Sequence, residues 1–238
     1  NAVYAHDASG ATFVNNLFAN TPGNPDFPEY GQTVFIRQTG LRDMAARTYH
    51  YSFYNNIQVG SKCQYSINYP AYLSGEQRFD GNVYDTKETS KTFLINPSSG
   101  PTEVFVNDSL FYKVIEDIGD KSLQVSDIKR GKDAQLTFNQ WKRFWKKHSA
   151  FYDQNSILSA TNLVYYDPAN FELKLYIDFN PKSVLTYSFP GVDTDYKGNK
   201  IQGKVVPGPF QNLKKGINIF KVWDGREPLI DGVHSIYQ

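Results

Sequence analysis

Apolar residues fall on every second position along much of this chain, and a side-chain period of two marks a half-buried β-strand. Cys63, Tyr65, Ile67 and Tyr69 alternate with Lys62, Gln64, Ser66 and Asn68. Phe171, Leu173, Leu175 and Ile177 alternate with Glu172, Lys174, Tyr176 and Asp178 in the same way. Aromatic or β-branched runs at 11–18, 33–38, 48–54, 102–106, 110–116, 184–189 and 217–223 extend the pattern. Turn chemistry separates them: a proline-rich connection over 20–31, a break at 96–101, and the dipeptides Asp80-Gly81, Asp224-Gly225 and Asp231-Gly232, which read as hairpin turns. The expected fold is therefore mostly β, an antiparallel β-sandwich or jelly roll. No internal repeat is evident.

One amphipathic helix interrupts the strands, expected over about 138–152. Thr137 and Gln140 have capping-box spacing, with Leu136 and Trp141 placed as a hydrophobic staple. Trp141, Phe144, Trp145, His148 and Phe151 then form one stripe, opposite Lys142, Arg143, Lys146 and Lys147. Such a helix could dock on an anionic surface, but packing of the stripe on a sheet explains it more simply. A single domain over 1–238 is expected, with a division near 130–160 as the alternative.

The 25 Lys+Arg against 24 Asp+Glu leave a net charge of +1, which provides no overall field for nucleic acid. No stretch is apolar enough to span a bilayer as a helix. The single Cys excludes an intramolecular disulfide. The chain opens on Asn1 rather than Met, which reads as a processed or excised start. One Cys and one Met beside 17 Tyr and 17 Phe suit an oxidising, extracellular setting, so a secreted protein is expected.

Three groups of residues could carry function. Arg47–Tyr54 gathers a guanidinium, an imidazole and phenols on one expected strand, with Arg42 just upstream. β-Elimination on a uronic acid polymer needs such groups. Arg42 or Arg47 would neutralise the sugar carboxylate, while His50 or Tyr51 would move the proton. Alternation, however, puts His50 and Tyr51 on opposite faces of a strand. The second group is Tyr69, Tyr72 and Trp223, candidate stacking platforms for a sugar ring. The third is Asp193-Thr194-Asp195-Tyr196-Lys197-Gly198-Asn199, which has the alternating oxygens of a calcium loop at Asp193 and Asp195. Lys197 and Lys204 stand where ligands belong, which favours a tight turn.

No nucleophile elbow, phosphate loop or zinc-protease motif occurs, and the four His are scattered. Three readings remain open. The chain recognises a carbohydrate or cell-surface ligand; or it is a jelly-roll polysaccharide lyase; or it is a secreted adhesion or virulence factor that binds a host protein. The oligomeric state is not readable from the sequence.

Overall fold

The computed structural model describes residues 2–6, 10–21, 31–37, 50–68, 77–96, 134–146 and 153–223. Their strands are short, and those up to Tyr84 pair in parallel rather than by hairpin reversal. The chain runs β1 (Val3–His6), β2 (Thr12–Val14), β3 (Leu17–Ala19), then β4 (Gln32–Arg37), β5 (Ser52–Tyr54), β6 (Ile57–Val59), then β7 (Cys63–Asn68), β8 (Arg78–Asp80), β9 (Val83–Tyr84). Strands three apart in this order pair in parallel. The result is a β-solenoid of stacked coils, each placing one strand in each of three sheets. A further coil begins with β10 (Phe93–Asn96), is joined antiparallel by β11 (Ala134–Leu136), and returns at β12 (Ile157–Leu158) beside β9.

This overturns the expected antiparallel sandwich or jelly roll. The first three sheets are parallel apart from β11, and none closes into a sandwich or barrel. The physical reason lies in the turns. Asn15, Asn55 and Gly81 occupy equivalent corners at φ 56°, 55° and 65°. One left-handed residue there bends the chain onto the next face without reversing it. Asp80-Gly81, read from sequence as a hairpin, is such a corner, and the run 11–18 is two strands around one. At Gly81 a Cβ would lie 2.8 Å from the Leu185 carbonyl oxygen, so glycine is required by contact as well as by φ.

The residue after each corner is an asparagine whose side chain is spent on its neighbours. Asn56 Oδ1 accepts from the Asn16 N–H at 2.9 Å and from Asn16 Nδ2 at 3.0 Å. Asn82 Oδ1 accepts from the Asn56 N–H and Nδ2 at 2.9 and 3.1 Å. Ser156 Oγ ends the ladder by accepting from the Asn82 N–H at 2.9 Å.

Inside the coils, like side chains stack in columns. Ala5, Ile36, Ile67 and Ile95 are in register across four strands, as are Val34, Tyr65 and Phe93 across three. Phe13 stacks on Phe53 at 4.9 Å, and Phe53 on Phe79 at 5.9 Å. The helix α1 (Phe138–Lys146) then closes the C-terminal end of this interior. Its capping box forms as the spacing predicts: Gln140 Oε1 accepts from the Thr137 N–H at 2.8 Å, and Thr137 Oγ1 from the Gln140 N–H at 3.3 Å. Trp141, Phe144 and Trp145 are buried, with Trp141 stacked 5.7 Å from Tyr65, so the stripe is core. The expected helical residues 147–152 lie outside the described ones.

A second layer covers the solenoid. Strands β13 (Leu163–Asp167), β14 (Glu172–Ile177) and β15 (Gly216–Lys221) form an antiparallel sheet. Its Leu175, Ile177 and Phe220 share a core cluster with Ile57, Val59 and Val83 of the solenoid, together with Phe179, Val184, Val206, Phe210 and Leu213.

Thr137→Ala is expected to cost about 1 kcal/mol through loss of the cap, and Trp141→Ala about 3–5 kcal/mol through the cavity left in the aromatic core. Asn56→Ala removes the acceptor of the part-buried Asn16 N–H and one donor to the buried Asn82 Oδ1, and is expected to cost about 1–3 kcal/mol. Urea unfolding midpoints measure all three. An Asn56→Ala protein as stable as wild type would contradict the ladder's role.

Candidate functional site

The outer face of the β13–β15 sheet is the most exposed apolar surface among the described residues. Cross-strand register arranges it in rows: Leu163, Tyr176 and Ile217; then Tyr165, Lys174 and Ile219; then Asp167, Glu172 and Lys221. Leu163 and Ile217 are each 69% exposed, Tyr165 60% and Ile219 56%. These are values for side chains that nothing among the described residues covers. Two residues beyond the end of β15, Trp223 is 42% exposed and packs edge-on against Phe171 at 4.5 Å.

Local chemistry braces this face. Asp167 Oδ1 accepts from the N–H groups of Ala169 and Asn170 at 3.1 and 3.4 Å, which tightens the β13–β14 turn. The Asn170 side-chain hydrogen bond leads the causes that hold the Asp167 carboxyl below the usual range. Lys174 Nζ lies 3.7 Å from Glu172 and 4.0 Å from Asp167, drawing its charge toward the polar row. Asn218 Nδ2 donates to the Lys214 and Gly216 carbonyls at 2.7 and 3.0 Å and fixes the entry to β15. An apolar sheet with three exposed rings on or beside it, and carboxylates and ammonium groups among them, can stack on the C–H face of a ring and hydrogen-bond its hydroxyls.

Of the residues expected to bind, Trp223 is exposed two residues beyond the end of β15. Tyr69 and Tyr72 lie outside the described residues, as do Arg42 and Arg47. The expected strand over 48–54 is reduced to Ser52–Tyr54. Before it, His50 is an exposed corner residue at φ 59°, whereas Tyr51 is buried in the solenoid core, where desolvation pushes its phenol up. Asp193 and Asp195 stand in a tight turn closed by the Thr194–Lys200 bridge. Asp195 accepts from the N–H groups of Lys197, Asn199 and Gln211 and from Asn199 Nδ2. Burial would raise its carboxyl, but these donors outweigh burial and hold it low. Among the described residues no group of three or more His, Cys, Asp or Glu could hold a metal. The turn instead buttresses β15: Tyr196 Oη donates to the Val222 carbonyl at 2.9 Å, and Lys197 Nζ to that of Lys221 at 2.5 Å.

Two buried carboxylates escaped the sequence reading, because no motif surrounds them. Asp80 accepts from the Asn155 N–H and Nδ2, each at 2.8 Å, and from Tyr187 Oη. Desolvation, then Asp80 itself, pushes the Tyr187 phenol up to about 12. This network straps segment 185–187 to the solenoid, helped by Asn55, whose side chain pairs with both backbone groups of Tyr187. Asp153 is fully buried and accepts from Tyr84 Oη at 2.7 Å, Ser156 Oγ at 2.6 Å and Trp141 Nε1 at 2.6 Å. Enclosed by core side chains, it ties α1 to the coil beneath.

No protein-family model matches this chain, and no curated protein matches it. A solved structure described as the complex of XylC with xylose aligns with 93% of this chain and 41% of that one, at 13% identity and a TM-score of 0.35. The chain thus spans about two fifths of that protein's length. A likeness of this degree fixes neither fold nor ligand.

Desolvation raises the Asp153 carboxyl from 3.8 to about 6, despite its three donors. A carboxyl raised in the folded state binds more protons folded than unfolded between those values. Its stabilising contribution is therefore complete below about pH 4 and is lost as pH rises through 6. Relative to Asp153→Asn, which cannot titrate, wild type is expected to lose on the order of 3 kcal/mol between pH 4 and 7. Denaturant midpoints of both proteins across that range test this; parallel pH profiles would contradict it.

Proposed function

We propose that this chain recognises a carbohydrate through the outer face of β13–β15, with Trp223, Tyr165 and Tyr176 as stacking surfaces. The observation that carries the reading is the placing of Tyr165 and Tyr176 on one exposed sheet face, with Trp223 exposed two residues beyond the end of β15. Asp167, Glu172, Lys174 and Lys221 supply acceptors and donors for sugar hydroxyls between them. A sheet whose opposite face is locked into a core presents its rings in fixed positions, which lowers the ordering cost of binding. The scarcity of Cys and Met supports an extracellular setting for this recognition, as part of the same proposal.

The test is a glycan panel read by calorimetry with wild type, Trp223→Ala and Tyr165→Ala. Saturable binding is expected, weakened about tenfold by each substitution, or ~1.4 kcal/mol, with unchanged melting for Tyr165→Ala, whose side chain is 60% exposed. Absence of binding to every glycan, or binding indifferent to both substitutions, would overturn the proposal. New ultraviolet absorbance on incubation with uronic acid polymers would instead make the chain a lyase.

A further inference from the structure

The net charge of +1 conceals an asymmetry along the chain. Residues 181–223 contain seven Lys, no Arg or Glu and two Asp, a local balance of +5. All seven lysines are exposed. Of these, Lys215 alone reaches a carboxylate among the described residues, Asp178 at 3.5 Å. Lys197 and Lys204 donate instead to the backbone carbonyls of Lys221 and Lys182, which hold the ammonium groups in place without neutralising them. The carboxylates of the segment offset little of this. Asp195 is spent on the N–H groups of Lys197, Asn199 and Gln211 and on Asn199 Nδ2, which leaves Asp193.

Three of the charges gather where β15 ends. The 193–200 turn docks there, with Tyr196 Oη on the Val222 carbonyl and Lys197 Nζ on that of Lys221. Lys197 and Lys200 on the turn and Lys221 on the strand therefore share this corner with two exposed rings, Tyr196 at 60% and Trp223 at 42%. Phe210 braces Tyr196 edge-on at 5.7 Å. Toward β13 the charges cancel, because Lys174 lies between Glu172 and Asp167. On the reading that the β13–β15 face binds carbohydrate, we propose that its ligand is an anionic glycan, a polymer bearing carboxylates or sulfate esters. Lys197, Lys200 and Lys221 neutralise its charges, while Trp223 and Tyr196 stack on its rings. An ammonium is a point charge that meets a carboxylate or a sulfate from many directions. Nucleic acid favours the planar guanidinium fork, and 181–223 holds none. Unpaired lysines also draw a polyanion in from solution.

Calorimetry with polygalacturonate, heparin, neutral xylan and single-stranded DNA tests this. Polygalacturonate or heparin should bind, the tighter of the two identifying carboxylate or sulfate as the anion. Xylan should bind about tenfold more weakly, the combined worth of three exposed charge contacts. Affinity for the polyanion should fall about tenfold as salt rises from ~0.01 M to ~0.15 M. Lys200→Gln and Lys221→Gln should each weaken it about threefold with unchanged circular dichroism, while Lys142→Gln on α1 leaves it as it was. Xylan bound as tightly as the polyanions at every salt concentration would overturn the anionic class and leave carbohydrate recognition standing. Binding to no glycan at all would overturn both. DNA bound more tightly than either polyanion, or polyanion binding indifferent to the Lys200 and Lys221 substitutions, would also overturn the proposal.

Discussion

The asparagine ladder running from Asn16 through Asn56 and Asn82 to Ser156 sets the register on which the other layers depend. Asn56 and Asn82 are fully buried, and an amide there is tolerable only because its oxygen and nitrogen both find partners. Asn56 Nδ2 also reaches the Phe13 carbonyl at 3.0 Å, and Asn82 Nδ2 reaches that of Phe53 at 2.9 Å. Each side chain thereby ties a corner to the strand of the coil before it. A slip of one residue would bury the exposed face of every strand in the stack, and it would also unpair the ladder.

With register fixed, the columns of isoleucine and aromatic rings follow, and so does the surface the protein presents. Packing β13–β15 on the outside of the solenoid consumes one face of that sheet. Leu175 and Phe220 go to the core, which commits Tyr165, Tyr176 and the outer residues of β15 to solvent. The exposed face is thus a consequence of the core beneath it. Phe210 stacked on Phe220 at 3.8 Å, and Tyr196 against Phe210 at 5.7 Å, fix the strand that leads to Trp223.

Period-two alternation made several strands legible, but the run 184–189 forms no strand and the runs 102–106 and 110–116 lie outside the described residues; spacing alone predicted the capping box of α1. The parallel topology was not legible, although its signal is present. Phe13-Val14-Asn15-Asn16-Leu17 and Phe53-Tyr54-Asn55-Asn56-Ile57 share one pattern, and Phe79-Asp80-Gly81-Asn82-Val83 is a third copy. Successive ladder rungs lie 40, 26 and 74 residues apart, because connections of very different length separate the coils. A search for a constant period misses such a repeat, and an Asp-Gly dipeptide looks alike whether it reverses a strand or turns a corner. The candidate site was legible only at Trp223. Tyr165 and Tyr176 sit in ordinary alternating strands, and which face stays bare depends on a core assembled from distant residues. Asp153 carries no local signal, since its partners Tyr84 and Trp141 meet it only through the fold.

Tryptophan fluorescence tests the central claim most directly, because the protein holds three Trp and two of them, Trp141 and Trp145, are buried. A glycan seated on the β13–β15 face should shield Trp223 from a soluble collisional quencher, leaving the emission of the buried pair unchanged. Loss of that shielding in Trp223→Phe, with the ligand still bound, would trace the signal to the proposed face. If a saturating glycan leaves Trp223 as open to quencher as before, the ligand sits elsewhere and the account of the functional face is wrong.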